Sequence, residues 1–339
     1  MKRVVTIGSA TQDLFILYKK TESLKIHSQK GDTVFLILEE GSKVEVEQLT
    51  YSSGGGATNS AVSFKRLGFD VSSFFKIGSD DHGNAIQKEL TQEGIDISQI
   101  VIDPSQETGR SFILPTKSGN RVILAYRGIN AQLTKDDIPY YLIKQADQLY
   151  ITSLSHPASH LLPEITAFAK KHNIPVANNP GKSQLEEGAQ SVQAALGNID
   201  ILIMNRTEAT QCFESLTGQK EFDLKDYFKT ILERGPRITV VTDGAHGVYA
   251  AHGDQYYFHP SMPPEKIIST VGAGDSFGSC FVAQLLHGKS IQDALVAGIA
   301  NAGSVISHIG AKTGLLTQNK LKEKLESIDS TLLQQFPLV

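Results

Sequence analysis

Between about residues 131 and 242, short apolar runs alternate with helical stretches, and this alternation limits the fold more than any other feature of the chain. The apolar runs lie at 148–151, 175–177, 201–204 and 238–242, with helix-like stretches at 160–172, 184–196, 206–216 and 223–234. Parallel strands need a long crossover between them, usually a helix. Strands spaced by helices therefore predict βαβ units and a mostly parallel sheet covered on both faces. Residues 249–251 and 255–259, with Gly253 between them, read as a hairpin, and the C-terminal third reads as helices at 276–287, 291–308 and 318–327. Near the N-terminus a run at 4–7 stops at Gly8, as a buried strand would. Residues 57–67 are helical and stop at Gly68, 71–77 are strand-like, and 84–93 form a helix ending at Gly94.

Two β-rich segments break the alternation, at about 14–51 and 110–127. The first holds strand-like runs at 14–18, 34–38 and 44–49. In the second, runs at 111–115 and 121–126 flank a hairpin turn at Lys117, Ser118, Gly119 and Asn120. Val34, Phe35, Leu36, Ile37 and Leu38 are apolar at every position, so both faces of that run need cover. It is either a core strand of the main sheet or part of a small extra sheet, covering a site with one face and meeting another subunit with the other. The chain thus reads as one α/β domain over 1–339 with two β-rich insertions.

Composition narrows the partners. At 40% apolar and 20% charged residues the chain has material for a large core and is not disordered. A net charge of −4 gives no general attraction to nucleic acid or to an acidic membrane. Cys212 and Cys280 lie far apart with no CxxC, which argues against a disulfide framework or a zinc site and suits a cytoplasmic, reducing setting. The start of the chain meets Asp13 before any long apolar run, and no stretch approaches 18 apolar residues, so neither a signal peptide nor a membrane span is expected.

The stretch Ser269, Thr270, Val271, Gly272, Ala273, Gly274, Asp275 runs into an apolar helix and carries the most chemical information. Small residues let the backbone approach a ligand, and the first turn of a helix offers unpaired N–H groups and the positive end of the dipole to phosphate. Asp275 there can cap the helix, or it can take a proton from a substrate hydroxyl while the N–H groups hold phosphoryl oxygens. Gly54, Gly55 and Gly56 also enter a helix, followed by Ala57, Thr58 and Asn59. They can admit a polyol, with Asn59 offering a donor and an acceptor, or they can be a flexible connector. Asn205 and Glu208 follow the strand at 201–204, where they can order water around Mg²⁺ on nucleotide phosphates or simply start a helix. The turn at 242–247, with Thr242, Gly244 and Gly247, can cradle a nucleotide or be a tight loop, and Asp13 can bind two sugar hydroxyls or form a turn. Neither GxxxxGK[ST] nor GxGxxG is present, which disfavours a P-loop kinase and a dinucleotide enzyme.

In this order these pieces resemble the ribokinase-like (PfkB) carbohydrate kinases. Residues 54–61 with Gly68 and Gly78 fit the family's first signature, and 270–275 resembles the heart of the second, D-T-x-G-A-G-D. Residues 205–208 look like its N-x-x-E element, 242–247 like its T-x-G-x-x-G turn, and Ile309, Gly310 and Ala311 like its close. The resemblance spans residues 4 to about 316. It implies a three-layer α/β/α fold with a mostly parallel central sheet and a β-sheet lid, made by 14–51 and 110–127. It further implies transfer of the γ-phosphoryl group of ATP, with Mg²⁺, to a primary hydroxyl of a small sugar. By it Asp275 is the base and contacts substrate, and the N–H groups of Gly272, Ala273 and Gly274 form an anion hole. Asp13, Gly55 and Asn59 hold the sugar. Asn205, Thr242, Gly244, Gly247 and Gly274 face the nucleotide, and Glu208 reaches Mg²⁺ through water. Pairing of lids would give a homodimer. Ser269 stands where the family usually has Asp, a residue of its monovalent-cation site, which questions activation by K⁺. A nucleoside kinase of the same fold is the alternative, for which lid aromatics such as Phe15 or Phe35 would cover the base. Residues 178–181 and Arg127 could reach that end of the substrate. An intact 272–275 argues against a third reading, a sugar-binding protein without activity.

Overall fold

The structure is a computed structural model and describes residues 1–18, 22–28, 31–116, 121–262, 264, 266–328 and 332–338. The turn expected at 117–120 lies outside the described residues. The first strands are β1 (Arg3–Ile7), β2 (Thr11–Tyr18), β3 (Glu22–Ser28), β4 (Gly31–Ile37), β5 (Val46–Gly54) and β6 (Asp70–Phe74). Next come β7 (Lys76–Ile77), β8 (Val101–Ile102), β9 (Gly109–Pro115), β10 (Arg121–Tyr126), β11 (Gln148–Thr152) and β12 (Val176–Asn179). The last are β13 (Ile201–Asn205), β14 (Ile238–Thr242), β15 (Val248–His252), β16 (Gln255–His259) and β17 (Gln334–Pro337). The helices are α1 (Gly56–Arg66), α2 (Asp81–Gln92), α3 (Tyr140–Ile143), α4 (Leu162–Lys171) and α5 (Lys182–Ala195), then α6 (Arg206–Thr217), α7 (Leu224–Glu233), α8 (Ala273–Leu286), α9 (Ile291–Val305) and α10 (Gln318–Glu326).

Nine strands form the central sheet in the order β17-β16-β15-β14-β13-β12-β11-β1-β6. It is parallel from β14 to β6 and antiparallel from β14 to β17. Successive residues of one strand enter opposite cores, as a period of two requires. Ile201 and Ile203 join Phe64, Phe281 and Leu295 under α1, α8 and α9, whereas Leu202 and Met204 join Ile165, Phe213 and Phe228 under α4, α6 and α7. Each such buried side chain contributes about 1.5–3 kcal/mol. The result is the expected three-layer arrangement. Among the described residues no helix is long and apolar enough to cross a membrane.

Three expectations change. The strand expected at 71–77 leaves the central sheet after Phe74, and Lys76 and Ile77 pair with β8 instead. β17 adds a ninth strand that the sequence pattern did not suggest. The first β-rich segment contributes to two sheets. β10-β9-β2-β5 form a four-stranded outer sheet, while among the described residues β3 and β4 pair only with each other. The run at 34–38 is thus not a strand of the main sheet, and Phe35 is 48% exposed on a two-stranded arm. The root of the outer sheet is fixed by a small core of Phe15, Ile113, Val271 and Ala311.

Candidate active site

The parallel strands β11, β12, β13 and β14 all end at one rim, and several helices begin there. Three of those at the edge of a ligand-sized space begin without a side-chain cap. Asp80, Asp223, Ser290 and Thr317 cap α2, α7, α9 and α10 with their side chains. Helices α1, α5 and α8 start at Gly55, Gly181 and Gly272 with no side-chain cap. In α1 the Gly56 N–H donates to Ser9 Oγ at 3.4 Å and the Ala57 N–H to the Ser9 carbonyl at 3.2 Å, and in α8 the Ala273 N–H donates to the Thr270 carbonyl at 3.4 Å, so loop backbone and a hydroxyl stand in for a cap. Gly56, Gly181, Gly272 and Gly274 border a cleft of about 250 Å³, together with Thr152, Asn179, Asn205, Glu208, Thr270 and Asp275. A wider cleft of about 1050 Å³ adjoins it, lined by 205–208 and 242–246, and the two share Arg121, Asn205, Glu208 and Thr242.

Asp275 is the third residue of α8 and does not cap it, which removes the simpler of the two readings. Its Oδ2 accepts a hydrogen bond from Asn59 Nδ2 at 2.8 Å. Burial pushes the Asp275 carboxyl above the usual carboxylate range, opposed by the Asn59 hydrogen bond and by the charge of Lys312. The other amide atom, Asn59 Oδ1, is buried with no hydrogen-bond partner. The φ of Gly272 is +78°, and a Cβ there would strike Ala311; a Cβ on Gly274 would meet nothing within 4 Å. Gly272 is therefore needed for the turn, while Gly274 keeps open the space before the helix.

Asp13 lies within β2 rather than after β1, because the outer sheet starts at Thr11 and runs to Gly54, with its second part at 109–126. Thr11 Oγ1 donates to Asp13 Oδ1 at 2.9 Å. Burial raises the Asp13 carboxyl; hydrogen bonds with Ser111 and Thr11 and the charge of Lys312 lower it, while the Asp275 charge raises it. Asp13 thus feels the charge of Asp275, and both feel that of Lys312. The glycine triplet serves the protein's own packing. A Cβ on Gly54 would enter the Asp13 carboxylate, one on Gly55 would hit Ser9 and Ala10, and one on Gly56 would hit Thr152.

Asn205 and Glu208 form a capping box at the start of α6: Asn205 Oδ1 accepts from the Glu208 N–H, and Glu208 Oε2 accepts from the Asn205 N–H, both at 2.9 Å. The helix-start reading holds, yet Glu208 also borders both clefts. Burial pushes its carboxyl up to about 7, opposed by Asn205 and aided by the charge of Asp275. Thr242 ends β14, and the turn that follows closes a hairpin to β15, with Gly244 at φ +52° and Gly247 at φ +133°. Asp243 shapes this loop and pairs with Arg206 at 3.1 Å. Asn178 is buried, with its Nδ2 donating to the Ile151 carbonyl, so only Asn179, Pro180 and Gly181 of that stretch border the cleft. Phe15, fully buried in the small core, cannot cover a bound base.

Arg121 and Lys312 are functional candidates that sequence reasoning missed. Arg121 opens β10 of the outer sheet, donates to Thr270 Oγ1, and is the one basic side chain among the described residues lining the smaller cleft. Its place at the start of a strand was legible; its reach to Thr270, 149 residues away, was not.

The sequence model of the pfkB family carbohydrate kinases matches residues 1–318. A ribokinase of Haemophilus influenzae is 32% identical over 285 residues, covering 82% of this chain and 88% of that protein. A bifunctional ribokinase/ribose-5-phosphate isomerase A of Fructilactobacillus sanfranciscensis is 26% identical over 327 residues, a match that takes in 95% of this chain and 56% of that longer protein. Among solved structures, a nucleoside kinase of Methanocaldococcus jannaschii, an archaeal member of the ribokinase family, shares the fold with a TM-score of 0.76 at 22% identity, over 97% of this chain and 99% of that one.

Proposed function

The chain belongs to the pfkB family of carbohydrate kinases, and we propose that it transfers the γ-phosphoryl group of ATP to a primary hydroxyl of a small sugar, with Asp275 as base. The observation that carries this reading is the buried Asp275 carboxylate, aimed by Asn59 at the uncapped start of α8. A raised carboxyl is a better proton acceptor than an exposed one. In the reaction the sugar oxygen attacks the γ-phosphorus, its proton passes to Asp275, and the bond to the β-phosphate oxygen breaks to release ADP. The N–H groups of Gly272, Ala273 and Gly274 hold the transferring oxygens. Asp13 and the unpaired Asn59 Oδ1 hold sugar hydroxyls beside Gly55. Asn205, Thr242, Gly244 and Gly247 face the nucleotide, and Arg121 brings positive charge from the outer sheet, which acts as a lid.

The oxygen donors around the shared edge of the clefts suit Mg²⁺ held through water, because Glu208 Oε2 is engaged by Asn205 and Oε1 remains. Mg²⁺ bound there would neutralise phosphate charge. The nucleoside alternative finds support in the archaeal neighbour's fold, but the burial of Phe15 and the outlying position of Phe35 favour a free sugar. The whole chain is read as one kinase unit, paired with a second copy through its lid arms.

A panel of ribose, fructose, 2-keto-3-deoxygluconate, tagatose 6-phosphate and adenosine, read by ADP release, tests the substrate class. Turnover of adenosine alone would replace the sugar reading. Asp275→Asn should lower kcat by about 10²–10⁴ with nucleotide affinity within a few-fold. A variant keeping more than about a tenth of kcat would rule Asp275 out as the base.

A further inference from the structure

We propose that Lys312 is a fixed internal counter-ion of the site, an ammonium anchored at the root of the lid that lets Asp13 and Asp275 carry charge side by side. The proposal rests on the reading of Asp275 as base and gives Lys312 a positioning role.

Lys312 is 6% exposed, in the loop after α9. Two residues of this loop fix where the ammonium goes. Ala311 sits against Gly272 and belongs to the small core with Phe15 and Val271, and Gly310 lies beside Ser52. The Lys312 ammonium donates to Ser53 Oγ on β5. Ser53 is flanked by the two residues that touch Asp13's place in the lid. Ser52 is the β-pairing partner of Asp13, and Gly54 lies so close that a Cβ there would enter the Asp13 carboxylate. Among the described residues the ammonium otherwise meets Glu89 Oε1 of α2, at 3.4 Å, and Glu89 is half-exposed. One hydroxyl and one loose ion pair are a poor return for burying a full charge. The field of further carboxylates is needed, and Asp13 and Asp275 supply it. Burial lowers the Lys312 ammonium below the usual lysine range, opposed by Glu89, Asp13 and Asp275, and Lys312 in turn opposes the burial that raises Asp13 and Asp275.

The charged and titratable groups facing this cluster come from every element around it. They are Glu89 from α2, Asp13 from β2, Asp275 from α8, and Glu208 and Tyr150, whose own protonation feels Asp275. Arg66 of α1 donates to the Lys312 carbonyl at 2.9 Å, but its own charge is paired with Glu93. Lys312 is therefore a buried cation, held on Ser53 beside the Gly54 that abuts Asp13, whose charge acts on both carboxylates, and its loss should raise the pKa of the base.

The experiment is the pH profile of kcat for the wild type, Lys312→Met, Lys312→Gln and Lys312→Arg. Lys312→Met should shift the acid limb upward by about one pH unit, with activity lost at low pH regained at high pH. Lys312→Arg should restore the wild-type limb, and KM for ATP should stay within a few-fold. A folded Lys312→Met with an unmoved limb overturns the proposal. If Lys312→Met does not fold, Lys312→Gln decides: its amide can still donate to Ser53 Oγ but carries no charge, so the limb should again move upward, and an unmoved limb overturns the proposal equally. Should Asp275→Asn keep its kcat while Lys312→Met still moves the limb, the base assignment fails and the counter-ion stands.

Discussion

Gly272 and Gly274 stand two residues apart and answer to different constraints. Gly272 adopts a left-handed φ against Ala311, so Gly272→Ala should destabilise the fold and lower Tm. Gly274 faces open space, so Gly274→Val should keep Tm close to wild type while lowering kcat, because its methyls fill the approach to the anion hole. Thermal melting beside initial rates separates the two, and a Gly274→Val protein with normal kcat would mean that phosphate does not sit there. Glu208 gives a pH prediction. Its carboxyl moves from an ordinary 4.5 to about 7 on folding, so between those values the folded chain holds more protons than the unfolded one. Stability from this residue is then full below about 4.5 and is lost as pH rises to about 7. Glu208→Gln keeps the capping box but has no charge to bury. It should be more stable than wild type at pH 8, by on the order of 1–3 kcal/mol, and equal at pH 4. Melting curves at both pH values check this, and a lower Tm for the variant at pH 8 would show that the carboxylate is favourably solvated in the cleft.

At the scale of elements, the lid divides into a root and an arm. β2 and β9 send Phe15 and Ile113 into the core they share with Val271 and Ala311, so the root should resist exchange whether or not substrate is bound. Among the described residues β3 and β4 pair as strands with each other alone, and an isolated two-stranded ribbon is at best marginally stable. Amides of the arm at 34–37 should therefore exchange fast in the free protein and slow down when sugar binds and the lid closes over it. Closure would also keep water from competing for the phosphoryl group. Hydrogen exchange with and without sugar is the measurement, and strong, equal protection of 34–37 in both forms would end the moving-arm idea.

The whole molecule displays an apolar surface that a single chain leaves bare. Leu24, Ile26, Val34, Phe35, Ile37 and Leu38 are exposed on the arm, and Leu49, Tyr51, Ile123 and Leu124 on the outer sheet. Leu24 pairs with Phe35 across the arm, and clustered exposed apolar side chains of this kind mark interaction sites. Light scattering should give twice the chain mass of 36.8 kDa, and Phe35→Asp should give a monomer with an unchanged far-UV spectrum. A monomeric wild type would sink the pairing.

Much of this protein was readable because it is written locally. Periods of two and 3.6 mark the strands and helices of the parallel sheet without knowledge of any partner, and Gly272 to Asp275 mark the start of an apolar helix by composition alone. The exchange partners of those residues were not readable. Asn59 meets Asp275 across 216 residues and Lys312 meets Ser53 across 259. β17 joins the sheet edge through Gln334, Gln335, Phe336 and Pro337, a sequence with little strand preference of its own. The run at 34–38 carries the composition of a core strand yet stays outside the main sheet. Local preference records which backbone a segment adopts, so it set the elements and the start of α8. Strand order, and the helix layers that follow from it, decide which side chains meet and which carboxylates lose their water, so only the tertiary structure set the pairing of Asn59 with Asp275, the burial of Lys312 and the bare face of the arm.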